Sequence, residues 1–150
     1  MEVATFEEIQ EEFMVRAQKA VYCNVATVDR QGRPRSRVMH LVWEGPIGLV
    51  ITWPESHKAR HLAANPHVSL AYISEPEKPV YVEATAAWVT EKDEQLRIWE
   101  IYKTIPLGFD LTPHYGTIDH KYFGILRFTP WRIELAELWK ESLIWRPGIH

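Results

Sequence analysis

The sequence contains a single cysteine among its 150 residues, which excludes an intramolecular disulfide. Cys23 lies in the apolar segment 21–26, and this position favours a small buried side chain over a reactive thiol. A chain of this length buries roughly 68–70% of its unfolded surface on folding, so neither a disulfide nor a structural metal is needed. Because 46% of the residues are hydrophobic, we expect residues 1–150 to form one domain around a sizeable core.

The sequence also lacks the features of several functional classes. No apolar run approaches the ~18 residues of a membrane span, and no secretory segment precedes the acidic residues Glu7 and Glu8. The formal net charge of −3 and the absence of a basic stripe argue against nucleic-acid binding. We find no Walker loop, Rossmann glycine pattern or Ser/His/Asp nucleophile motif. We therefore expect a cytoplasmic protein that binds neither membranes nor nucleic acids.

Hydrophobic periodicity predicts a few helices among many short strands. Apolar residues at helical spacing follow the capping box Thr5-Phe6-Glu7-Glu8 and predict a helix over residues 5–20. Ser56 is predicted to cap a second helix, which ends with a left-handed Asn65, and a third helix follows Thr90. Runs of β-branched and apolar residues between turn residues predict strands over 21–28, 35–43, 49–53, 67–73, 80–89, 122–128 and 131–138.

The predicted strands follow one another through short connections, which is typical of an antiparallel sheet. Because few helices interrupt them, the sequence predicts a mainly β protein with flanking helices, in which the antiparallel strands form a closed or split β-barrel. Pro130 separates the last two predicted strands, and residues 139–150 have no clear pattern. Residues 105–120 also lack a regular period, and a loop of that length in a compact domain is often functional.

Two basic clusters indicate an anion site. Arg35-Ser36-Arg37 begins a predicted strand, and Ser56-His57-Lys58 begins the second predicted helix. The N–H groups at a helix start are unpaired and carry the positive end of the helix dipole, so a hydroxyl and an ammonium there are typical of a phosphate pocket. A strand arginine can add a bidentate contact. Lys58 is informative because a cation in the first helical turn opposes the dipole unless an anion is also bound there.

Each of these features also has a purely structural interpretation. Arg35 is equally well explained as a solvent-exposed residue beside a turn, and Ser56 as a helix cap worth about 1 kcal/mol. His57 and His61 are four residues apart, the spacing of a zinc pair, but no Glu follows His57 and no third ligand is evident nearby. The sequence therefore predicts no metal site.

The order of several short motifs resembles the flavin-binding core of the pyridoxamine 5′-phosphate oxidase-like split-barrel superfamily. The motifs are Arg37-Val38-Met39, Thr52, Ser56-x-Lys58-x-x-x-Leu62-x-x-Asn65-Pro66, Leu70 and the ending Phe128-Thr129-Pro130-x-Arg132-Ile133-Glu134. The likeness is best over residues 20–90, and it depends on the order and spacing of the fragments together.

The resemblance implies an antiparallel split β-barrel. It also implies that the protein binds FMN in a homodimer, because the flavin of this superfamily lies between two subunits. The matching positions are Arg37, Ser56, His57 and Lys58 at the phosphate, Val38, Met39, His40 and Thr52 along the flavin, and Trp131, Trp139 or the 105–120 loop at the wall from the second subunit. A histidine at position 57, where the family commonly has a basic residue, would make that phosphate contact pH-dependent.

Three positions depart from the oxidases proper. Val42 replaces a lysine that binds the substrate's phosphate, and Pro79 and Tyr81 lie where the oxidases carry a glutamine and an arginine. The resemblance therefore predicts a flavin-dependent oxidoreductase that acts on a small molecule other than a vitamin B6 phosphate. Two alternatives stay open, a reductase that uses the deazaflavin F420 and a non-catalytic flavin-binding or stress-related protein. No general acid or base stands out, so the sequence identifies no catalytic residue.

Overall fold

Strands dominate the structure, and helices flank them. The computed structural model describes residues 1–105 and 112–148, without the side chains of Thr112 and Pro113. None of the helices in these two ranges is long and apolar enough to cross a membrane. The elements are β1 (Glu2–Val3), α1 (Glu7–Ala20), β2 (Cys23–Val28), β3 (Pro34–Met39), β4 (Val42–Glu44), β5 (Ile47–Thr52), α2 (His57–Ala64), β6 (His67–Tyr72), β7 (Val80–Trp88), α3 (Lys92–Thr104), α4 (Thr112–Tyr115), β8 (Gly124–Leu135) and β9 (Leu143–Trp145).

The strands form one sheet in the order β1-β9-β8-β7-β6-β2-β3, with β5 paired to β8 and β4 paired to β5. The long strand β8 organises this sheet. Strand β7 lies along one of its edges, while the other edge pairs first with β5 through residues 124–128 and then with β9 through residues 133–135. These contacts are antiparallel, and β1 pairs with β9 in parallel. Among the described strands β3 and β4 do not pair, so the barrel is open between them and the predicted split barrel is confirmed.

The predicted strand over residues 35–43 is wrong, because two strands occupy this range. Strand β3 ends at Met39 and pairs with β2, whereas β4 begins at Val42 and pairs with β5. His40 and Leu41 carry the chain across the opening of the barrel. Both halves favour extended structure, so local propensity cannot reveal the break, which results from the choice of a different pairing partner for each half.

The predicted interruption at Pro130 is also wrong, because β8 continues through it. Pro130 lies opposite Ala84, whereas the preceding residue of β7, Glu83, lies opposite Arg132. The register shifts between these two pairs, so Trp131 has no partner on β7. A β-bulge accommodates proline because the ladder does not require its missing N–H at that point. Strand β8 thus continues past Pro130, although proline ordinarily ends a strand.

Several segments without a clear sequence pattern also contain structure. Strand β9 lies in the 139–150 tail, and residues 112–115 of the predicted 105–120 loop form α4. The part of that loop over residues 106–111 lies outside the described residues. Asn65 ends α2 as expected, but its φ of −146° is extended, so the left-handed conformation predicted for it is wrong.

Two apolar clusters join the helices to the sheet. In the larger cluster Ile9 and Phe13 of α1 pack with barrel residues such as Leu70. In the second cluster Ile98 and Trp99 of α3 pack against residues of β5 and β8. Burying each large apolar side chain stabilises the fold by roughly 1.5–3 kcal/mol. The helices therefore cover the barrel from two sides and fix the strands that carry the candidate site.

The single cysteine belongs to the larger cluster. Cys23 is buried, and its Sγ lies 3.7 Å from the backbone oxygen of Met39. Burial raises the pKa of the thiol to about 12, so it stays protonated at neutral pH. The prediction of a buried, unreactive side chain is confirmed.

Candidate functional site

The hairpin of β2 and β3 positions Arg37. Its register places Val25 opposite Arg37, and directly opposed residues share a face of the sheet, so the arginine lies on the same face as the buried Val25. Arg37 Nη1 donates to Thr27 Oγ1 at 2.8 Å and to the backbone oxygen of Val25 at 3.4 Å. These acceptors are neutral, and they orient the half-buried guanidinium without cancelling its charge.

Thr27 also connects Arg37 to α2. The buried Thr27 Oγ1 lies 2.8 Å from Nδ1 of His61, which is itself buried. Arginine has no acceptor, so the threonine oxygen accepts from Arg37 and its hydroxyl proton is available for Nδ1 of His61. One hydroxyl therefore fixes the strand arginine and the helix relative to each other.

The start of α2 lies beside this arrangement. Ser56 occupies the N-cap position with extended backbone angles, but its hydroxyl makes no capping hydrogen bond. It accepts a hydrogen bond from Lys58 Nζ at 3.0 Å instead. The predicted position of the helix start is confirmed, whereas the predicted capping role of the Ser56 side chain is wrong. The first N–H groups of α2 are left without a side-chain cap, as an anion site requires.

The cations of this cluster repel one another. Burial and the charge of Arg37 lower the pKa of Lys58, and burial and the charge of Arg35 lower the pKa of Arg37. Among the ion pairs within residues 1–105 and 112–148, none includes any of these three side chains. Half-buried cations that repel one another in this way favour the binding of an anion, because its charge offsets the repulsion.

The other predicted site residues differ in how far their side chains are exposed to solvent. Met39 and Thr52 are buried, and Thr52 pairs with Gly124 at the end of β5. Val38 is 65% exposed and points away from the face of Arg37, while His57 is exposed at the start of α2. Trp131 is 46% exposed beside the bulge in β8. The structure thus gathers Arg37, Ser56 and Lys58 into one cluster, and the other predicted site residues lie outside it.

His40 borders a separate, mainly apolar cavity of about 250 Å³ at the opening between β3 and β4. Its half-buried ring lies edge-on to Tyr22, with the ring centroids 5.5 Å apart, and burial lowers its pKa. Trp43 and Tyr72 line the same cavity, and Trp43 Nε1 donates to the hydroxyl of Tyr72 at 2.7 Å. The cavity lies between α1 and the split of the barrel, where the chain changes from one strand to the next.

Sequence reasoning missed Thr27 and His61. It considered His61 only as one half of a zinc pair with His57, and within the described residues no group of three or more metal-binding side chains is found. The signal for Thr27 lies in the predicted hairpin, because a turn over residues 29–34 places Thr27 diagonally across from Arg37. The sequence gives no such signal for His61, because its hydrogen-bond partner Thr27 lies on a strand 34 positions earlier in the chain.

Comparison with known proteins agrees with this fold. The family model for pyridoxamine 5′-phosphate oxidase matches residues 8–134. The chain therefore belongs to the pyridoxamine 5′-phosphate oxidase family. It is 36% identical over 94 residues to a pyridoxine/pyridoxamine 5′-phosphate oxidase from Bacteroides thetaiotaomicron, and the match covers 59% of this chain and 44% of that enzyme. The chain thus spans less than half the length of this curated relative.

Solved structures show the same fold at low sequence identity. A protein related to general stress protein 26 from Clostridium acetobutylicum is 14% identical with a TM-score of 0.75, over 94% of this chain and 96% of that one. A pyridoxamine 5′-phosphate oxidase-related, FMN-binding protein from Nostoc punctiforme is 16% identical with a TM-score of 0.66, over 94% of this chain and 89% of that one.

Proposed function

We propose that this protein binds FMN and acts as a flavin-dependent oxidoreductase on a small molecule. The observation that carries the proposal is the pair of half-buried cations, Arg37 and Lys58, that converge beside the uncapped start of α2. Their charge has no carboxylate partner within the described residues, so a phosphate would complete the site. An FMN-binding relative of the same fold supports the choice of cofactor.

The residues present fit the flavin phosphate. Arg37 would donate from its strand, Lys58 and the first N–H groups of α2 would donate from the helix, and Ser56 would hold the ammonium of Lys58 in place. Thr27 keeps the guanidinium of Arg37 directed at this position. When bound, FMN supplies hydride and electron transfer, while the protein orients the ring and excludes water.

The proposed substrate differs from that of the oxidases proper. Val42, which replaces their substrate-binding lysine, lies half-buried at the start of β4 and offers no charge. Tyr81, in the region of their arginine, lies on β7 with its side chain partly exposed. We therefore propose a substrate that is not held through a phosphate at these two positions.

We also propose that two copies of the chain complete the flavin site. Trp139 is 94% exposed and has a φ of 65°, an unusual conformation for a bulky residue at the surface. Trp131 is a second exposed indole in the last third of the chain. Such aromatic surfaces are typical of subunit interfaces. Sedimentation at several concentrations, with and without FMN, should show a dimer, and a monomer that binds FMN tightly would contradict this arrangement.

Titration of the purified protein with FMN tests the central proposal. Flavin fluorescence should be quenched with saturable stoichiometry, and riboflavin, which lacks the phosphate, should bind more weakly. A parallel titration with F420 separates the two cofactors. Tight binding of F420 together with no binding of FMN would overturn the cofactor assignment and leave the family assignment intact.

A further inference from the structure

A cavity of about 480 Å³ lies between the turn after β2 and the outer face of α2. Its wall is strongly basic. The side chains that give it this character are Arg30, Arg33, Arg35 and Arg60, with His57 and His61 beside them. The chain as a whole is acidic, with a formal net charge of −3, so this concentration of arginines is a local property of the cavity. Arginine is the residue best suited to bind phosphate oxygens through paired N–H groups.

The carboxylate in the wall is already engaged. Asp29 accepts hydrogen bonds from the backbone N–H groups of Gln31 and Arg33, and from Arg33 Nε at 2.9 Å. These contacts, led by the Arg33 backbone, lower the pKa of Asp29 and fix the shape of the turn. Asp29 therefore neutralises Arg33 and no other arginine of the cavity. Among the described ion pairs, none includes Arg30, Arg35 or Arg60.

The cavity adjoins the proposed flavin phosphate site through Thr27. Its wall includes His61, and the hydroxyl of Thr27 lies 2.8 Å from Nδ1 of His61 and 2.8 Å from Nη1 of Arg37. Arg35 also contributes to both regions, because it lines the cavity and lowers the pKa of Arg37. The two groups of cations therefore border each other, so neighbouring phosphates of one ligand, or phosphates of two ligands bound side by side, could contact both.

We propose that this cavity is a second anion subsite, which binds a diphosphate group next to the position of the flavin phosphate. The proposal rests on the proposed flavin site and extends it to a more highly charged ligand. Two sources can supply the diphosphate. The dinucleotide form of the flavin would place its diphosphate across both subsites, whereas a nucleoside diphosphate co-substrate would occupy the cavity beside FMN.

Inorganic pyrophosphate is the direct probe of the subsite. Calorimetric titration of the protein with pyrophosphate should show saturable binding, and the double variant Arg30→Gln/Arg60→Gln should weaken it by about tenfold, as expected for loss of charge-assisted contacts. Both side chains are exposed, so the fold should be retained, which circular dichroism checks. The double variant Lys19→Gln/Lys103→Gln is the matched control, because it removes two exposed cations, from α1 and α3, outside the cavity.

Two results would overturn the subsite. One is an absence of saturable pyrophosphate binding to the unaltered protein. The other is an equal loss of affinity in the lysine control and in the arginine double variant, each of which removes two charges; this would assign the binding to overall charge. The measurement is made first without flavin, so its outcome is independent of whether FMN binds. A protein that fails to bind FMN but binds pyrophosphate through these arginines would refute the proposed function and retain the subsite.

Comparison of three nucleotides then identifies the source. If FAD binds more tightly than FMN, and the arginine double variant removes that preference, the cofactor itself supplies the diphosphate. If FAD has no advantage but ADP binds to the FMN-saturated protein and is weakened about tenfold in the arginine double variant, a co-substrate supplies it. If neither nucleotide responds to the loss of the two arginines, the proposal of a diphosphate ligand is refuted.

Discussion

Two half-buried arginines of this protein, Arg132 and Arg37, occupy opposite electrostatic settings. Arg132 on β8 donates to Glu83 at 3.1 Å and to Glu134 at 2.5 Å. Burial works against its charge, but these two carboxylates raise its pKa. Arg37 on β3 contacts a hydroxyl and a carbonyl, and burial together with the charge of Arg35 lowers its pKa. Within the described residues, carboxylates neutralise Arg132, and none pairs with Arg37.

The difference separates structural charge from functional charge. A cation that is satisfied by the chain's own carboxylates stabilises the fold and has little left for a ligand. A cation that is held by neutral groups and crowded by other cations is costly until an anion arrives. Substitutions at the two kinds of cation should therefore differ in their effects on stability and on ligand binding.

Arg132→Ala should lower the free energy of unfolding by about 2–3 kcal/mol, somewhat less than for a fully buried pair, because the side chain is 20% exposed. The loss arises from Glu83 and Glu134, which keep their charges without a partner. Urea denaturation at pH 7 measures the change. Arg37→Ala in the flavin-free protein is the comparison, and an equal loss in both variants would remove the distinction between the two arginines.

Lys58→Ala and Arg37→Ala should each weaken FMN binding by about 1.5–3 kcal/mol, the range for hydrogen bonds to charged groups. Riboflavin should lose much less, because it lacks the phosphate that these side chains contact. Fluorescence titration of each variant with both ligands gives the comparison. Equal losses for FMN and riboflavin would show that the side chains support the barrel and do not bind the anion.

Lys58→Met should leave the stability of the flavin-free protein within about 0.5 kcal/mol of the original, or raise it. Methionine keeps much of the aliphatic stem and removes an ammonium whose pKa is lowered first by burial and then by the charge of Arg37. Thermal melts in the presence and absence of phosphate provide the measurement. Phosphate should stabilise the original protein more than the variant, by preferential binding to the folded state. A large destabilisation without any ligand would mean that Lys58 has a structural role.

A smaller effect is expected from His61 in the pH dependence of stability. Burial, and then the charges of Arg37 and Arg35, lower its pKa in the folded state, although Asp29 opposes the shift. The unfolded chain therefore takes up a proton first as the pH falls. The lowered pKa of His61 therefore contributes to stability in full above the ordinary histidine pKa of about 6.5. The contribution is lost as the pH falls through the pKa of His61 in the folded state.

The variant His61→Asn checks this assignment, since its side-chain oxygen can still accept from Thr27. Its free energy of unfolding should depend less on pH between about 5 and 7 than that of the original protein. His40, whose pKa burial also lowers, is unchanged and accounts for part of the remaining dependence. Identical pH profiles for the variant and the original protein would exclude His61 as the source.

The sequence predicted those parts of the site that depend on local order. The helix start at Ser56-x-Lys58 follows from turn residues and periodicity, whereas the choice of Arg37 on its strand came from the family resemblance. In the structure Lys58 lies close enough to Arg37 for the two charges to interact. Thr27 and His61 escaped prediction because their contact depends on how α2 packs against β2. The break after Met39 escaped for a related reason, since pairing partners far along the chain decide where one strand becomes two.

The split between β3 and β4 has a consequence for solubility. Among the described strands β3 pairs only with β2, so its other edge presents free backbone groups that a strand from another molecule could extend. Proline and positive charge are the usual protection of such an edge, and β3 carries Pro34, Arg35 and Arg37 along its short length. These arginines, which we propose as ligand-binding residues, would thereby also discourage edge-to-edge aggregation.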